Sequence, residues 1–118
     1  MTLNHLNLTV DDAEVTAAFL VKYFGLRYRE GIKPSTRFAI LHDDKDIVLT
    51  LIKDYLPGQI TYPSSFHIGF IQPNEEAVNQ INQLLKDDGY DVQPPSRQHG
   101  SWTFYFLAPG GFTIEVLG

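Results

Sequence analysis

The sequence predicts an α+β fold in which two βαβββ modules form a curled mixed sheet around a cleft. Two observations support this class: the order strand–helix–strand–strand–strand occurs twice, and a segment rich in proline and glycine separates the two occurrences. The chain has 118 residues, which suits a single domain. We therefore predict one domain, with a first module at residues 1–53, a linker at 54–65 and a second module at 66–118.

The first module opens with a strand over Leu3–Val10, because apolar and polar residues alternate there. Acidic residues at positions 11 and 12 can cap a helix, which we expect to end before Gly25. The residues expected on the buried side of this helix are Val15, Phe19 and Tyr23. The remaining strands of the module are predicted over Leu26–Glu30, Thr36–Leu41 and Asp46–Ile52.

The second module repeats this order, beginning with a strand over Phe66–Gln72. Asn74 can start its helix and Gly89 can end it. The apolar stripe of this helix is predicted at Val78, Ile81, Leu84 and Leu85. The remaining strands are predicted over Tyr90–Gln93, Trp102–Leu107 and Phe112–Leu117, with a turn at Pro109–Gly111 joining the last two.

The composition excludes several classes of function. The chain contains no cysteine, so it has neither disulfides nor a thiolate metal site. A net charge of −5 argues against a general nucleic-acid-binding protein. No apolar run reaches 18 residues, and the first ten residues lack the pattern of a secretion signal. These features predict a cytoplasmic protein that does not bind membranes.

Aligning the sequences of the two modules shows which residues occupy equivalent positions. The histidines of the two opening strands coincide, and the last strand of the second module carries an acidic residue between two apolar ones. The pairs given by this alignment are His5 with His67, Phe38 with Phe104 and Leu49 with Glu115.

If two equivalent modules pack about a shared axis, His5, His67 and Glu115 converge. Two imidazoles and one carboxylate are the donors of a three-ligand divalent metal site, and Mn, Fe, Zn and Ni all accept such donors. Each residue also has a simpler interpretation. His5 can be a solvated strand residue, His67 a hydrogen-bonded core histidine, and Glu115 a side chain that points into solvent.

Three stretches of the chain resemble the vicinal oxygen chelate superfamily. They are the opening LNHLNLTV, the strand FHIGF and the closing FYFLAPGGFTIEVLG. This superfamily includes glyoxalase I, extradiol dioxygenases, fosfomycin-resistance thiol transferases and bleomycin-resistance proteins. The resemblance implies metal ligands at His5, His67 and Glu115 in a cleft inside the curled sheet. It also implies a substrate that binds the metal through two adjacent oxygens.

The chain departs from the glyoxalase I pattern at one position. Members like glyoxalase I carry a fourth ligand, a glutamate, at the first-module position matching Glu115, and our alignment places Leu49 there. We therefore predict that a standard glyoxalase I reaction is absent. Three ligands fit the fosfomycin-resistance and dioxygenase branches better. From the dioxygenases, the resemblance implies His99 and Tyr105 as candidates for acid–base chemistry.

Candidate substrate contacts come from the same comparison. Asn7, Thr103 and Tyr105 match positions that line the fosfomycin site of the thiol transferases. Arg37 can clamp an anionic group, although a surface salt bridge is the simpler interpretation. Trp102 can stack on a substrate ring, although a role in the core or in the cleft wall is the simpler interpretation.

Two functions of different classes remain open. The first is a divalent-metal-dependent enzyme, a lyase, thiol transferase or dioxygenase, acting on a small oxygen-rich molecule. Small chains of this superfamily commonly form homodimers, sometimes by exchanging modules. The second is a metal-free protein that binds a ligand or drug, like the bleomycin-resistance group. The net charge of −5 favours a cationic ligand in that case.

Overall fold

A computed structural model describes residues 1–54 and 60–118, and part of the predicted linker, residues 55–59, lies outside this description. The chain divides into two compact units, one of residues 1–62 with 109–111 and one of residues 63–108 with 112–118. The predicted order of strands and helices is confirmed in both. The first unit contains β1 (His5–Val10), α1 (Ala13–Phe24), β2 (Arg27–Tyr28), β3 (Phe38–His42) and β4 (Val48–Lys53). The second contains β5 (His67–Ile71), α2 (Glu75–Asp87), β6 (Ser96–Gln98), β7 (Ser101–Leu107) and β8 (Thr113–Leu117).

The first unit is a mixed four-stranded sheet with the order β1-β4-β3-β2 and one helix against it. β1 runs parallel to β4, and the other neighbouring strands are antiparallel. The carboxylate of Asp12 accepts a hydrogen bond from the backbone N–H of Val15, so it caps α1 as predicted. Gly25 ends the helix in the left-handed conformation, with φ of 69°.

The buried face of α1 differs from the predicted one at Val15, whose side chain is exposed. The helix instead buries Thr16 and Leu20 completely. Thr16 is tolerated there because its hydroxyl donates to the carbonyl oxygen of Asp12, at 2.8 Å. A polar residue on the buried face therefore hid the true periodicity of this helix.

The second unit repeats the arrangement with the strand order β5-β8-β7-β6. Asn74 caps α2 by accepting a hydrogen bond from the N–H of Ala77, as predicted. Val78 and Leu85 are buried, whereas Leu84 is exposed. The core of this unit consists mainly of Val78, Leu85, Val92, Phe104, Phe106, Phe112, Ile114 and Val116.

The strand predicted over Tyr90–Gln93 is wrong, and β6 lies further along the chain. The N–H of Tyr90 donates to the carbonyl of Leu85, so this segment closes the end of α2 instead of joining the sheet. β6 pairs with β7 through the tight turn of His99 and Gly100, whose φ angles are 40° and 84°. Glycine adopts this conformation freely, whereas histidine adopts it only at a cost.

The strand pairings correct the alignment of the two modules by one residue. His5 lies opposite Val48 in the first sheet, and His67 lies opposite Thr113 in the second. Two residues further along each last strand, the counterpart of Glu115 is therefore Thr50 and not Leu49. Leu49 is buried at 8% exposure, whereas the Thr50 hydroxyl donates to the Oδ1 of Asn7, at 2.6 Å. Because alternate residues face opposite sides of a sheet, a shift of one residue exchanges the buried face for the open one.

A tyrosine near the end of the first unit pairs with the outer edge of β1. The Tyr62 hydroxyl donates to the carbonyl of Thr9 at 2.7 Å and accepts from its N–H at 2.9 Å. This side chain therefore takes the place of a neighbouring strand at one residue. Burial raises the pKa of Tyr62, so it stays protonated and able to donate. In residues 1–54 and 60–118, neither helix has the length and apolar character needed to span a membrane.

The corrected register predicts different costs for an acid at two adjacent positions. Leu49→Glu should lower the free energy of unfolding by roughly 3–5 kcal/mol, because it buries an unpaired charge. Thr50→Glu, on the open face, should cost about 1 kcal/mol or less. Urea unfolding of both variants and the wild type measures the difference. Equal costs, or the reverse order, would contradict the register.

Candidate metal centre

Glu115 occupies the centre of β8, between β5 and β7. Gly69 is its parallel partner on β5 and Tyr105 its antiparallel partner on β7. Its neighbours Ile114 and Val116 are fully buried on the opposite face of the strand. Pleating therefore turns Glu115 to the face that α2 leaves open, but the residue is still only 6% exposed. A carboxylate this buried needs donors close to it.

Protein donors surround one carboxylate oxygen. Thr103, which is completely buried, shares its single hydroxyl proton between Oε1 of Glu115 and the carbonyl oxygen of Val116, each at 2.9 Å. The Nε2 of His99 lies 2.8 Å from the same oxygen. Burial alone would raise the pKa of Glu115, but hydrogen bonds from Tyr105, Thr103 and His99 outweigh it and hold the pKa below its ordinary 4.5. The group is therefore a carboxylate at neutral pH, and it can bind a cation.

The second carboxylate oxygen faces His67. The Nδ1 of His67 lies 3.0 Å from the carbonyl oxygen of Ser65, and because a carbonyl can only accept, Nδ1 carries the proton. In the neutral ring, Nε2 then presents a lone pair to Oε2 of Glu115, 3.4 Å away. A cation between these two acceptors, either a proton on Nε2 or a metal ion, makes the contact attractive. The pair therefore favours a cation at this point.

The separation of these two atoms fits a metal. Ligand atoms that each lie about 2.0–2.1 Å from one ion stand roughly 3–3.4 Å apart at octahedral or tetrahedral angles. The 3.4 Å between Nε2 and Oε2 falls at the upper end of this range. The Ser65 carbonyl also orients the imidazole in the way that outer partners commonly orient metal-binding histidines. The residues present thus fit a divalent ion at His67 and Glu115.

His99 and Tyr105, the two predicted acid–base residues, both contact this pair. Nε2 of His99 lies 3.1 Å from the Tyr105 hydroxyl, and the Tyr105 ring meets that of His67 edge to face, with centroids 5.4 Å apart. Burial first, and then the hydrogen bond to Glu115 and its charge, raise the pKa of Tyr105. The hydroxyl therefore keeps its proton at neutral pH. The second unit thus brings together His67, His99, Thr103, Tyr105 and Glu115.

Two other predicted residues, His5 and Asn7, belong to the first unit. Both lie on the open face of its sheet, and the His5 ring is exposed, with Nδ1 3.0 Å from Oδ1 of Asn4. Within residues 1–54 and 60–118, no three histidine, aspartate or glutamate side chains are arranged to hold an ion. A ligand role for His5 therefore remains a prediction.

Trp102 and Arg37 lie apart from this cluster. The indole N–H of Trp102 donates to Asn79 on α2, at 2.8 Å, and the Arg97 guanidinium stacks over its ring. Trp102 thus faces the helix-covered side of β7, opposite Thr103 and Tyr105. Arg37 precedes β3 at an exposed position, where its carbonyl accepts from the N–H of Lys53. Arg37 lies on the face of the sheet that α1 covers, because Phe38 and Ile40 lie on the open face and alternate residues face opposite sides.

The sequence does not reveal two elements of this site. The Ser65 carbonyl is a backbone group, so its hydrogen bond to His67 cannot be predicted from the type of any residue. The pairing of Asn7 with Thr50 depends on the register of two strands that are distant in sequence. Alternation of apolar and polar residues in the last strand of the first module was the available signal for Thr50.

The comparisons agree with the fold described. The sequence model of the Glyoxalase/Bleomycin resistance protein/Dioxygenase superfamily matches residues 2–116. A possible glyoxalase from Bacillus cereus is 47% identical, with a TM-score of 0.89 over 100% of this chain and 99% of that one. No curated protein matches the chain.

More distant structures share the fold alone. Lactoylglutathione lyase from Agrobacterium tumefaciens is 19% identical, with a TM-score of 0.75 over 98% of this chain and 92% of that one. The genomically encoded fosfomycin resistance protein FosX from Listeria monocytogenes is 18% identical, with a TM-score of 0.77 over 99% of this chain and 92% of that one.

Removing the buried donor should raise the pKa of Glu115 towards its ordinary value. In the native protein this pKa is lowered, so the ionised carboxylate stabilises the fold above its unfolded-state pKa, and that stability is lost as the pH falls through the folded-state value. Thr103→Val should cost about 1.5–3 kcal/mol at neutral pH, because a hydrogen bond to a charged group is lost, and less in acid.

Carbon NMR titration of the Glu115 carboxyl, together with urea unfolding at several pH values, measures both effects in metal-free protein. Thr113→Val is the matched control. Thr113 is a half-buried threonine on β8, the strand of Glu115, and it lies on the same face of that strand as Glu115. An unchanged Glu115 titration in Thr103→Val would show that the hydroxyl does not hold the carboxylate.

Proposed function

This chain belongs to the Glyoxalase/Bleomycin resistance protein/Dioxygenase superfamily, and we propose that it is a divalent-metal-dependent enzyme acting on a small, oxygen-rich substrate. The observation that carries the proposal is the pairing of His67 and Glu115. A lone pair fixed by the Ser65 carbonyl faces a carboxylate oxygen at 3.4 Å. A divalent ion between these two atoms would be bound by both of them, whereas a proton on Nε2 would make the same contact an ion pair.

The metal ligands in this proposal are His67, Glu115 and His5. Two imidazoles and a carboxylate leave coordination positions open for two adjacent oxygens of a substrate. When bound, the ion acts as a Lewis acid that stabilises negative charge on those oxygens. Mn, Fe, Zn and Ni all suit this donor set, which contains no thiolate.

Side chains next to Glu115 hold and move protons in the proposed reaction. Tyr105 keeps its hydroxyl protonated at neutral pH, so it can donate a hydrogen bond to a substrate oxygen. His99 Nε2 lies within hydrogen-bonding distance of both that hydroxyl and Glu115, so its proton can pass to the Tyr105 oxygen after Tyr105 has given its own proton to the substrate. Thr103 holds the carboxylate in place from within the sheet.

The substrate contacts that we propose are Asn7 and Tyr105, on the open faces of the two sheets. Thr103, predicted as a third contact, is completely buried and acts only through Glu115. Trp102 is better explained by its hydrogen bond to Asn79 and its contact with Arg97, which join β6 and β7 to α2. The Arg37 side chain is exposed and has no partner among the described residues. We do not include Arg37 among the proposed substrate contacts.

The reaction we propose is a lyase, thiol-transfer or dioxygenase reaction, and not that of a standard glyoxalase I. Glyoxalase I-like chemistry uses a second carboxylate at the position equivalent to Glu115. That position holds Thr50, a neutral side chain already bonded to Asn7. The correction of the alignment from Leu49 to Thr50 leaves this conclusion unchanged, because neither residue can serve as a carboxylate base.

We further propose that the protein works as a homodimer in the cytoplasm. The support is the resemblance, since small members of the superfamily commonly dimerise, in some cases by exchanging modules. Light scattering of the purified protein measures the mass, and a mass equal to one chain would contradict the dimer.

Metal analysis tests the proposal most directly. Protein supplemented with Mn, Fe, Ni or Zn should retain about one ion per chain. His67→Ala should weaken binding by more than the roughly 10- to 100-fold typical of losing an outer-shell partner. His42→Ala is the matched control, because His42 is another partly exposed strand histidine outside the proposed ligand set.

Competition with a chelating dye gives the affinities, and it needs no substrate. If no ion is retained, or if His67→Ala and His42→Ala bind it equally, the metal-dependent enzyme is wrong. The second function, a metal-free protein that binds a cationic ligand, then becomes the better explanation. A thermal-shift screen of cationic aromatic compounds would test that function.

A further inference from the structure

The open face of the first sheet carries a groove of about 410 Å³, well separated in sequence from His67 and Glu115. Its lining combines an apolar floor with charged walls of both signs. The groove is lined by Arg29, Glu30, Ile40, His42, Asp46 and Val48.

Strand register produces the apolar floor. Ile40 and His42 are alternate residues of β3, and His42 lies opposite Val48 on β4. All three therefore face the side of the sheet that α1 does not cover. Arg29 extends the pairing of β2 with β3, since its N–H donates to the carbonyl of Ile40 at 3.0 Å. The Arg29 side chain thus begins at the border of this floor.

The charges on the walls are unpaired. Within the described part of the chain, the side chains of Arg29 and Glu30 make no hydrogen bond or ion pair. Asp46 has only a 4.0 Å approach to Nδ1 of His42. The nearby Arg27 differs, because Asp44 and the carbonyl of Asp43 already bind its guanidinium, at 2.6 and 3.0 Å. Arg29 is thus the guanidinium available to a ligand in the groove.

We propose that this groove is a binding site for a small zwitterion with an apolar side chain, the chemistry of a free apolar amino acid. A carboxylate would pair with Arg29, in the two-pronged geometry that a guanidinium favours. An ammonium group would meet the carboxylates of Glu30 and Asp46. The apolar side chain would cover Ile40 and Val48 and remove them from water.

Mixed charge on the walls selects against simpler ligands. An anion would satisfy Arg29 but would face two carboxylates, and a cation would satisfy those carboxylates but would face Arg29. Only a molecule that carries both charges can pair with Arg29 and with the two carboxylates at the same time. The groove adjoins the face that carries His5, because Val48 lies opposite His5 in the pairing of β1 with β4. The site goes beyond the proposed function, because none of the proposed metal ligands lines it and it requires no metal.

Titration of L-leucine into metal-free protein tests the proposal. Binding should shift the methyl NMR signals of Ile40 and Val48 at millimolar ligand and should be measurable by calorimetry. Three related compounds serve as controls: leucinamide lacks the carboxylate, isocaproate lacks the ammonium, and glycine lacks the apolar side chain. Leucinamide and isocaproate should each bind about tenfold more weakly or worse, because each loses one charged hydrogen-bonding group. Glycine should bind as weakly, because it covers no apolar surface of Ile40 and Val48.

Matched variants separate the groove from general charge effects. Arg29→Met should weaken leucine binding about tenfold or more, whereas Arg37→Met, at another exposed arginine of the same unit, should leave it unchanged. Glu30→Gln should also weaken it, and the methyl spectra confirm that each variant is folded. Leucine that shifts no groove methyl, isocaproate that binds as tightly as leucine, or equal effects of the two arginine variants would each overturn the proposal.

Discussion

The second unit depends on keeping one buried carboxylate ionised. Glu115 is 6% exposed and stands between two fully buried apolar residues. Without donors, burial would neutralise the group or exclude it from the strand. Thr103 supplies a hydroxyl from within the sheet, and His99 supplies a ring nitrogen from the turn that precedes β7. The left-handed backbone at His99, unusual for a residue other than glycine, is part of this arrangement. One carboxylate thus connects the register of β7 and β8 with the conformation of a turn.

Alternate residues of a strand face opposite sides of the sheet, and this separates the polar side chains of the open face from the core in both units. Each helix covers one face of its sheet, and residues of one alternation fill the core beneath it. The opposite alternation carries His67, Glu115 and Tyr105 in the second unit. In the first, it carries Ile40 and Thr50. A slip of one residue would bury the polar set and expose the apolar one, so the hydrophobic core itself fixes which side chains are free for chemistry.

The two modules have the same topology but different chemistry at equivalent positions. Where the second has Glu115 opposite Tyr105, the first has Thr50 opposite Ile40. The first unit accordingly has a neutral hydrogen bond between Asn7 and Thr50, and it places its unpaired charges at the far border of the sheet, at Arg29 and Glu30. Divergence of a repeated module has therefore left an ionised carboxylate on one open face and a neutral hydrogen bond at the equivalent position of the other.

The sequence by itself determined the fold class, the order of the elements, and the caps at Asp12 and Asn74. These features follow from local patterns or from the repeat, which act over short distances or are visible as periodicity. It misplaced β6 because the end of α2 competes for the backbone of Tyr90. It also aligned Leu49 with Glu115, because a one-residue shift between modules changes few residue types. Only the tertiary structure decided which residue faces which side, since hydrogen-bond register joins strands that are far apart in the chain. For the same reason, the Ser65 carbonyl that orients His67 and the unpaired charge of Arg29 became visible only in the folded chain.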